Sequence, residues 1–227
     1  MNQPSLSPRS LAVIRSIDRL FISLARHWLL LATLLLLLFS GLPWLAPVLV
    51  VNGYAGPAQV IYTLYSFTCH QLAYRSYFVG GLQPSYSIDQ LQSLLHVDNP
   101  LIDVLYWRAY QGDATLGYKV AFCERDVAIY GSMLLASLAF GLARRRLPKL
   151  SWQGYVLIAI LPMLLDGGTQ LVGLRESDPL LRTITGLLFG ALTVWLTYPY
   201  VQEAMRDILE QTSRQLKAVD ERLAVRG

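Results

Sequence analysis

The sequence predicts an all-α, polytopic integral membrane helix bundle with four full spans, one short interfacial helix, and both N- and C-termini cytoplasmic. Three observations carry that expectation. Hydrophobic residues fill 54% of the 227 positions against 15% charged, a balance that excludes disordered and collagen-like chains and disfavours a soluble domain. Long stretches contain no ionised side chain at all. The basic residues bracket those stretches, so the net charge of +4 reflects orientation in a bilayer and argues against nucleic acid as a partner.

The first span starts at His27. No Asp, Glu, Lys or Arg lies between Arg26 and Arg75, and the leucine-rich run from His27 to Phe39, extended through Val51, is long enough to cross roughly 30 Å of hydrocarbon. Pro43 and Pro47 lack a backbone donor and are expected to bend or end its outer part. The basic flank (Arg9, Arg15, Arg19, Arg26) resembles that of a signal peptide, but Leu45-Ala46-Pro47 is a poor cleavage context, which favours an uncleaved anchor. Ala58 to Phe67 is short and tyrosine-rich, as suits an interfacial helix, a true crossing extended to Tyr74 being the alternative. Val127 to Ala143, Leu150 to Leu165 and Thr183 to Gln202 supply the other three spans.

Orientation follows from the Lys and Arg distribution. Thirteen of the 19 fall before span one, at Arg144, Arg145, Arg146 and Lys149, or in the tail at Arg206, Arg214, Lys217, Arg222 and Arg226. The other six (Arg75, Arg108, Lys119, Arg125, Arg175, Arg182) lie on the opposite side. The positive-inside rule then places residues 1–26 in the cytoplasm, a transmembrane domain at 27–200 with an extracytoplasmic loop at 80–117, and a cytoplasmic tail at 201–227, in the cell's inner (plasma) membrane.

Within the loop, Ser87 is expected to cap a short helix to Leu95, with Asp89 and Gln90 in its first turn and Asn99-Pro100 ending it. Leu101 to Trp107 suggests a second short helix against the bilayer, because Tyr106 and Trp107 favour the headgroup level. In the tail, Val201, Met205, Ile208, Thr212, Leu216, Val219 and Leu223 form one helical stripe, amphipathic or coiled-coil. It is expected either to lie on the inner leaflet or its own protein, or to contact a second copy or another membrane protein. The Gly186-Leu-Leu-Phe-Gly190 step permits close approach of another helix.

Chemistry gathers on the outer side. Cys69 stands beside His70 with Arg75 nearby. Cys123, Arg125, Asp126 and Tyr130 open the second span, Asp166 and Gln170 end the third, and Arg175, Glu176, Asp178 and Arg182 lead into the fourth. Ionised groups near hydrocarbon are costly unless paired or hydrated, so His70, Arg75, Arg125, Asp126, Asp166, Gln170, Arg175 and Arg182 form the candidate polar cluster, facing the bundle interior or its mouth. Ion pairing that merely holds the helices together is the simplest role for these charges. Cys69 and Cys123 are expected to form a disulfide in an oxidising compartment. The alternatives are a metal or haem contact through Cys69, His70 and Cys123, with Asp126, Asp166 or water completing it, and two free thiols.

The ordered motifs Cys-His-Gln with Arg-Ser following, Cys-x-Arg-Asp with Tyr-Gly following, Leu-Asp-Gly-x-x-Gln, Gly-x-Arg-x-Ser and Leu-Arg-x-x-Thr-Gly resemble the bacterial and archaeal membrane family known as domain-of-unknown-function family 2085. The resemblance runs from Tyr62 to Tyr198, about 60% of the chain. Asp126 stands where that pattern commonly carries a second cysteine. The resemblance implies a membrane address and residues of interest, with no reaction attached.

No catalytic signature of the Gly-x-Ser-x-Gly, His-Glu-x-x-His, phosphate-loop, dinucleotide or Cys-x-x-Cys-His type occurs, and no cofactor is expected. His27 and His96 are expected to be structural or surface residues. The leading expectation is a small scaffold or accessory protein whose outer cluster recognises a lipid or membrane partner. One alternative is an enzyme acting on a phosphate-bearing lipid or headgroup, with arginines binding phosphate, Asp166 or Asp126 as base and His70 as acid. Another is proton or small-solute transport by an oligomer.

Overall fold

The computed structural model describes residues 8–97, 104–143, 149–175 and 177–224. The basic residues Arg144 to Arg146, the expected helix end at Asn99-Pro100, Leu101, Glu176 and Arg226 lie outside the described residues. Among the described residues, four helices are long and apolar enough to cross a membrane, as the uncharged runs require. The chain divides into two compact units, Leu34–Leu196 and Met1–Thr33 with Thr197–Gly227.

The first helix, α1 (Pro8–Val51), passes through both prolines instead of ending at them. Pro43 has no N–H to give the carbonyl of Phe39, and the hydroxyl of Tyr65 donates to that carbonyl at 2.8 Å, so the freed acceptor is satisfied. Tyr65 closes α2 (Ala55–Tyr65), whose 11 residues rise about 17 Å and are too short to span. Its buried face (Ala58, Ile61, Tyr62, Tyr65) packs with Phe39, Val120 and Phe122.

A small antiparallel sheet departs from the all-α expectation. Its strands β1 (Ser76–Val79), β2 (Gly112–Asp113) and β3 (Gly117–Cys123) lie in the order β1-β3-β2, with Ser76 opposite Cys123 and Gly112 opposite Tyr118. Asp113 makes the reversal: its Oδ1 accepts from the N–H groups of Thr115 (2.7 Å) and Leu116 (2.8 Å), an Asx-type turn. Gly117 follows at φ +80, where a Cβ would also strike the backbone of Gly81 and Val79. Two helices lie between β1 and β2 in sequence, α3 (Ile88–Leu94) and α4 (Val104–Ala109). The capping box at α3 is complete, Ser87 accepting from Gln90 N–H while the Gln90 side chain accepts from Ser87 N–H. Open strand edges do not occur in lipid-exposed hydrocarbon, so this layer is a cap at the membrane boundary. It has a core of its own: Leu72, Phe78, Tyr86, Leu91, Trp107 and Leu116. Trp107 is therefore 2% exposed inside the cap, not lying against the bilayer, because a folded apolar cluster was available to it.

Strand β3 runs directly into α5 (Glu124–Ala143). The third span, Trp152–Leu171, consists of α6 (Trp152–Tyr155), a π-helical turn at Val156–Ile160 and α7 (Leu161–Leu171). The wide turn sits just before Pro162, whose missing donor disrupts the local ladder. The last helix, α8 (Pro179–Ala224), has 46 residues. Its Gly186–Gly190 step is used within the chain: a Cβ at Gly186 would meet Arg125 O at 2.8 Å and Ala128 Cβ at 2.9 Å, and one at Gly190 would collide with Ile129 O and Ser132 Oγ. The close approach that the step permits is thus taken up by α5. Gly190→Leu is expected to lower stability in detergent by about 1–3 kcal/mol through overpacking, read as an earlier thermal unfolding transition. An unchanged transition would contradict this contact.

In the other unit the two helix ends lie antiparallel. Arg15 pairs with Asp220 at 3.0 Å, and Trp28 meets Tyr198 edge-on with ring centroids 5.2 Å apart. Leu11, Asp18 and Ala25 are buried at seven-residue spacing. The tail positions Val201, Met205, Ile208, Thr212, Leu216 and Val219 are half-buried while their neighbours on the opposite face are exposed. The stripe is covered in part by its own chain, the packing alternative, and nothing in this arrangement requires a coiled coil with a second copy.

Candidate functional site

The polar residues fall into two groups in the cap and at the adjoining ends of the spans. The first is built on the turn after α2 and the end of β3. Helix α2 stops at Tyr65, the chain turns, and Gln71 adopts a left-handed conformation at φ 50, which an L-residue rarely takes. The reversal leaves Cys69 buried and His70 exposed, with Cys69 Sγ 3.8 Å from His70 Nδ1. Cys69 Sγ accepts the N–H of Gln71 (3.4 Å) and of Cys123 (3.2 Å). Cys123 donates to Asp126 Oδ2 at 3.1 Å. One ligand atom from each of Cys69, His70 and Cys123 lies within 4.8 Å of the others.

Both cysteines are free thiols, not the expected disulfide. The hydrogen bonding explains the difference: Cys69 Sγ is an acceptor for two amides, as a thiolate is, and Cys123 Sγ is turned to Asp126. The neighbouring Cys123 side chain is the main influence holding Cys69 well below the ordinary thiol range, against burial and with help from His70, Asp126 and the Gln71 amide. The Cys69 side chain, with burial, pushes Cys123 well above it. The pair loses one proton easily and retains the other.

The second group joins α5, α7 and α8. Asp166, 2% exposed, is held by Arg125 (Nη2 to Oδ2, 2.6 Å) and Arg175 (Nη2 to Oδ1, 2.9 Å). Thr185 adds a donor to Oδ2 at 3.3 Å, and Arg175 Nε donates to Thr169 Oγ1 at 3.1 Å. Glu124 takes Arg182 at 2.8 Å, and the other arm of Arg182 donates to Ser177 O. Arg75 makes no ion pair among the described residues. It lies over the ring of Tyr74, 5.2 Å from its centroid, and its buried Nε finds no hydrogen-bond acceptor among the described residues. Gln170 Nε2 is likewise buried without a partner among the described residues.

The structure thus separates the eight sequence candidates. His70 and Asp126 stand with the cysteines, Arg125, Asp166 and Arg175 form one clasp, Arg182 belongs to a second, and Arg75 and Gln170 join neither through a hydrogen bond. Two buried charges were not singled out from the sequence. Glu124 is 0% exposed, and its signal was its place between Cys123 and Arg125 at a helix start. Lys119, also 0% exposed, donates from Nζ to Gln71 O (2.7 Å) and Arg108 O (2.6 Å). It ties β3 to the turn after α2 and to α4, and a lone lysine beside the apolar run Val120-Ala121-Phe122 was the available clue. Tyr62 OH donates to Lys119 O at 2.5 Å and Gln71 Nε2 to Tyr62 O at 2.9 Å. That ring of bonds fixes the backbone on which Cys69 and His70 sit.

Residues 114–196 match the model of a family described as "Predicted membrane protein (DUF2085)", the family that the motifs resemble, over a shorter stretch than Tyr62 to Tyr198. An uncharacterized protein of the archaeon Methanocaldococcus jannaschii is 29% identical over 143 residues, covering 61% of this chain and 67% of the relative. No solved structure matches.

Proposed function

We propose that this multi-pass protein, whose residues 114–196 carry the DUF2085 module, is a small accessory protein of the inner (plasma) membrane whose arginine-bearing outer edge holds the headgroup of an anionic, phosphate-bearing lipid. The observation that carries the reading is the state of its guanidinium groups. Arg175 is bound to Asp166 yet its side chain is 42% exposed, and Arg75 has no ion pair among the described residues. Both sit where the cap meets the spans, the depth of lipid phosphates, and guanidinium forks suit phosphate oxygens. The excess of Lys and Arg before span one, at residues 144–149 and in the tail supports cytoplasmic termini and an outward cap.

The alternatives fit the side chains less well. A base is hard to supply, because Asp166 already accepts from Arg125, Arg175 and Thr185 and Asp126 accepts from Cys123. A proton path needs exchangeable groups in series, whereas Asp126, Asp166 and Arg182 are each tied to a different partner.

The test is native mass measurement of protein released from nanodiscs of mixed phosphatidylglycerol and phosphatidylcholine. Preferential retention of phosphatidylglycerol is expected, falling to the phosphatidylcholine level in Arg75→Ala/Arg175→Ala. Equal retention of both lipids by the unaltered protein would sink the proposal.

A further inference from the structure

We propose that Cys69, His70 and Cys123 form a binding site for one thiophilic, tetrahedral cation of the Zn(II) type, at the junction of the turn after α2 and the end of β3. This site is independent of the headgroup reading and uses none of its arginines.

The donor set is the first reason. Two sulfurs and an imidazole are ligands for zinc-like ions and poor ligands for calcium or magnesium. Geometry is the second. A tetrahedral ion with metal–sulfur bonds of about 2.3 Å and metal–nitrogen bonds of about 2.0 Å holds its donors about 3.5–3.8 Å apart. Cys69 Sγ and His70 Nδ1 are already 3.8 Å apart, and all three donors lie within 4.8 Å of one another. Rotamer adjustments of about 1 Å close the set, well within side-chain freedom.

Adjacent residues seldom ligate one ion, because successive side chains diverge along a regular backbone. Here the chain is not regular. Gln71 at φ 50 reverses it directly after His70, and the reversal is anchored by the Gln71 side chain on Tyr62 O and by Lys119 Nζ on Gln71 O. Those bonds hold the turn in place, and within it Cys69 Sγ and His70 Nδ1 lie 3.8 Å apart.

The surroundings of Cys69 are those of a ligating sulfur. Amide donors from Gln71 and Cys123 converge on it, and such outer donors orient a ligand thiolate and offset its charge. Asp126 Oδ2 lies 3.1 Å from Cys123 Sγ but outside the set of donors that are mutually within 4.8 Å, so water supplies the fourth position. Binding displaces thiol protons to solvent, which frees the Asp126 carboxylate from the bond it accepts from Cys123 in the free protein. Cys69 and Cys123 are each 6% exposed while His70 is exposed, which gives the ion a route in from the histidine side.

The experiment uses full-length protein, purified in detergent under reductant and titrated anaerobically with Co(II) as the probe and Zn(II) as the competitor. The expected result is about one Co(II) per chain, with thiolate-to-cobalt charge-transfer absorption that Zn(II) abolishes. His70→Ala, at an exposed side chain, should weaken binding about 10-fold or more, and Cys69→Ser or Cys123→Ser should weaken binding further and leave about half the charge-transfer intensity at saturation, one thiolate of the two remaining. Arg75→Ala/Arg175→Ala should leave the titration unchanged, which separates failure of this site from failure of the headgroup reading. Reduced protein that shows no charge-transfer band, or a band of equal affinity in His70→Ala, overturns the proposal, and so does one of unchanged affinity and intensity in Cys123→Ser. His70→Ala keeps the test decisive if the buried cysteine variants fail to fold.

Discussion

Glu124→Ala is expected to cost about 3–5 kcal/mol of unfolding free energy, because it leaves the Arg182 guanidinium buried without its counter-charge. Arg182's side chain is 6% exposed and Glu124's 0%, so water cannot take the place of the lost carboxylate. Glu124 also sits at the hinge where β3 becomes α5, and Arg182 sits in the first turns of α8, so the pair joins the cap's exit to the last span. The measurement is a double-mutant cycle in detergent, with unfolding followed by near-ultraviolet circular dichroism. Glu124→Met/Arg182→Met should be much less destabilised than the sum of the single changes, since removing both charges removes the desolvation cost along with the attraction. Additive losses would mean that the two side chains do not act as a pair.

Lys119→Met is the second large effect, about 2–4 kcal/mol, because the carbonyls of Gln71 and Arg108 lose their donor inside a closed core. It also changes the response to pH. Burial is the main influence on Lys119 and brings it down to about 7, with the nearby Cys69 opposing. An unfolded lysine keeps its proton to about 10.4. Between about pH 7 and that value the unfolded chain therefore binds more protons than the folded one, and this group makes stability rise with pH across the window. The neutral amine still has two N–H groups for its two short contacts. The prediction is a stability difference between unaltered protein and Lys119→Met that widens from pH 7 to pH 10. A constant difference would show that Lys119 is not depressed by burial.

Some of this protein was legible residue by residue. Apolar runs of spanning length identify four membrane helices because hydrocarbon thickness and backbone hydrogen bonding leave little choice, and the eleven-residue α2 is short for the same reason. Ser87 and Gln90 announced the start of α3, since a cap is a local device whose partners lie three residues apart. The clustering of Cys69, His70 and Cys123 near Asp126 was readable only as a possibility among several, because it depends on two segments 54 positions apart.

What only the tertiary structure decided is where a partner is non-local. Ser76 to Val79 is too short to declare itself a strand, and it becomes one because β3 lies beside it. Trp107 looked like a headgroup anchor because nothing local reveals that Leu72, Phe78 and Leu91 make an apolar pocket away from lipid. Gly186 and Gly190 mark a close helix approach in either reading, but that the approaching helix is α5 of the same chain follows from packing. The arginines and carboxylates formed a single cluster by their shared membrane depth. Their division into an Asp166 clasp, a Glu124–Arg182 pair and a thiol group depends on angles around three helix axes, and composition and spacing carry no information about those angles.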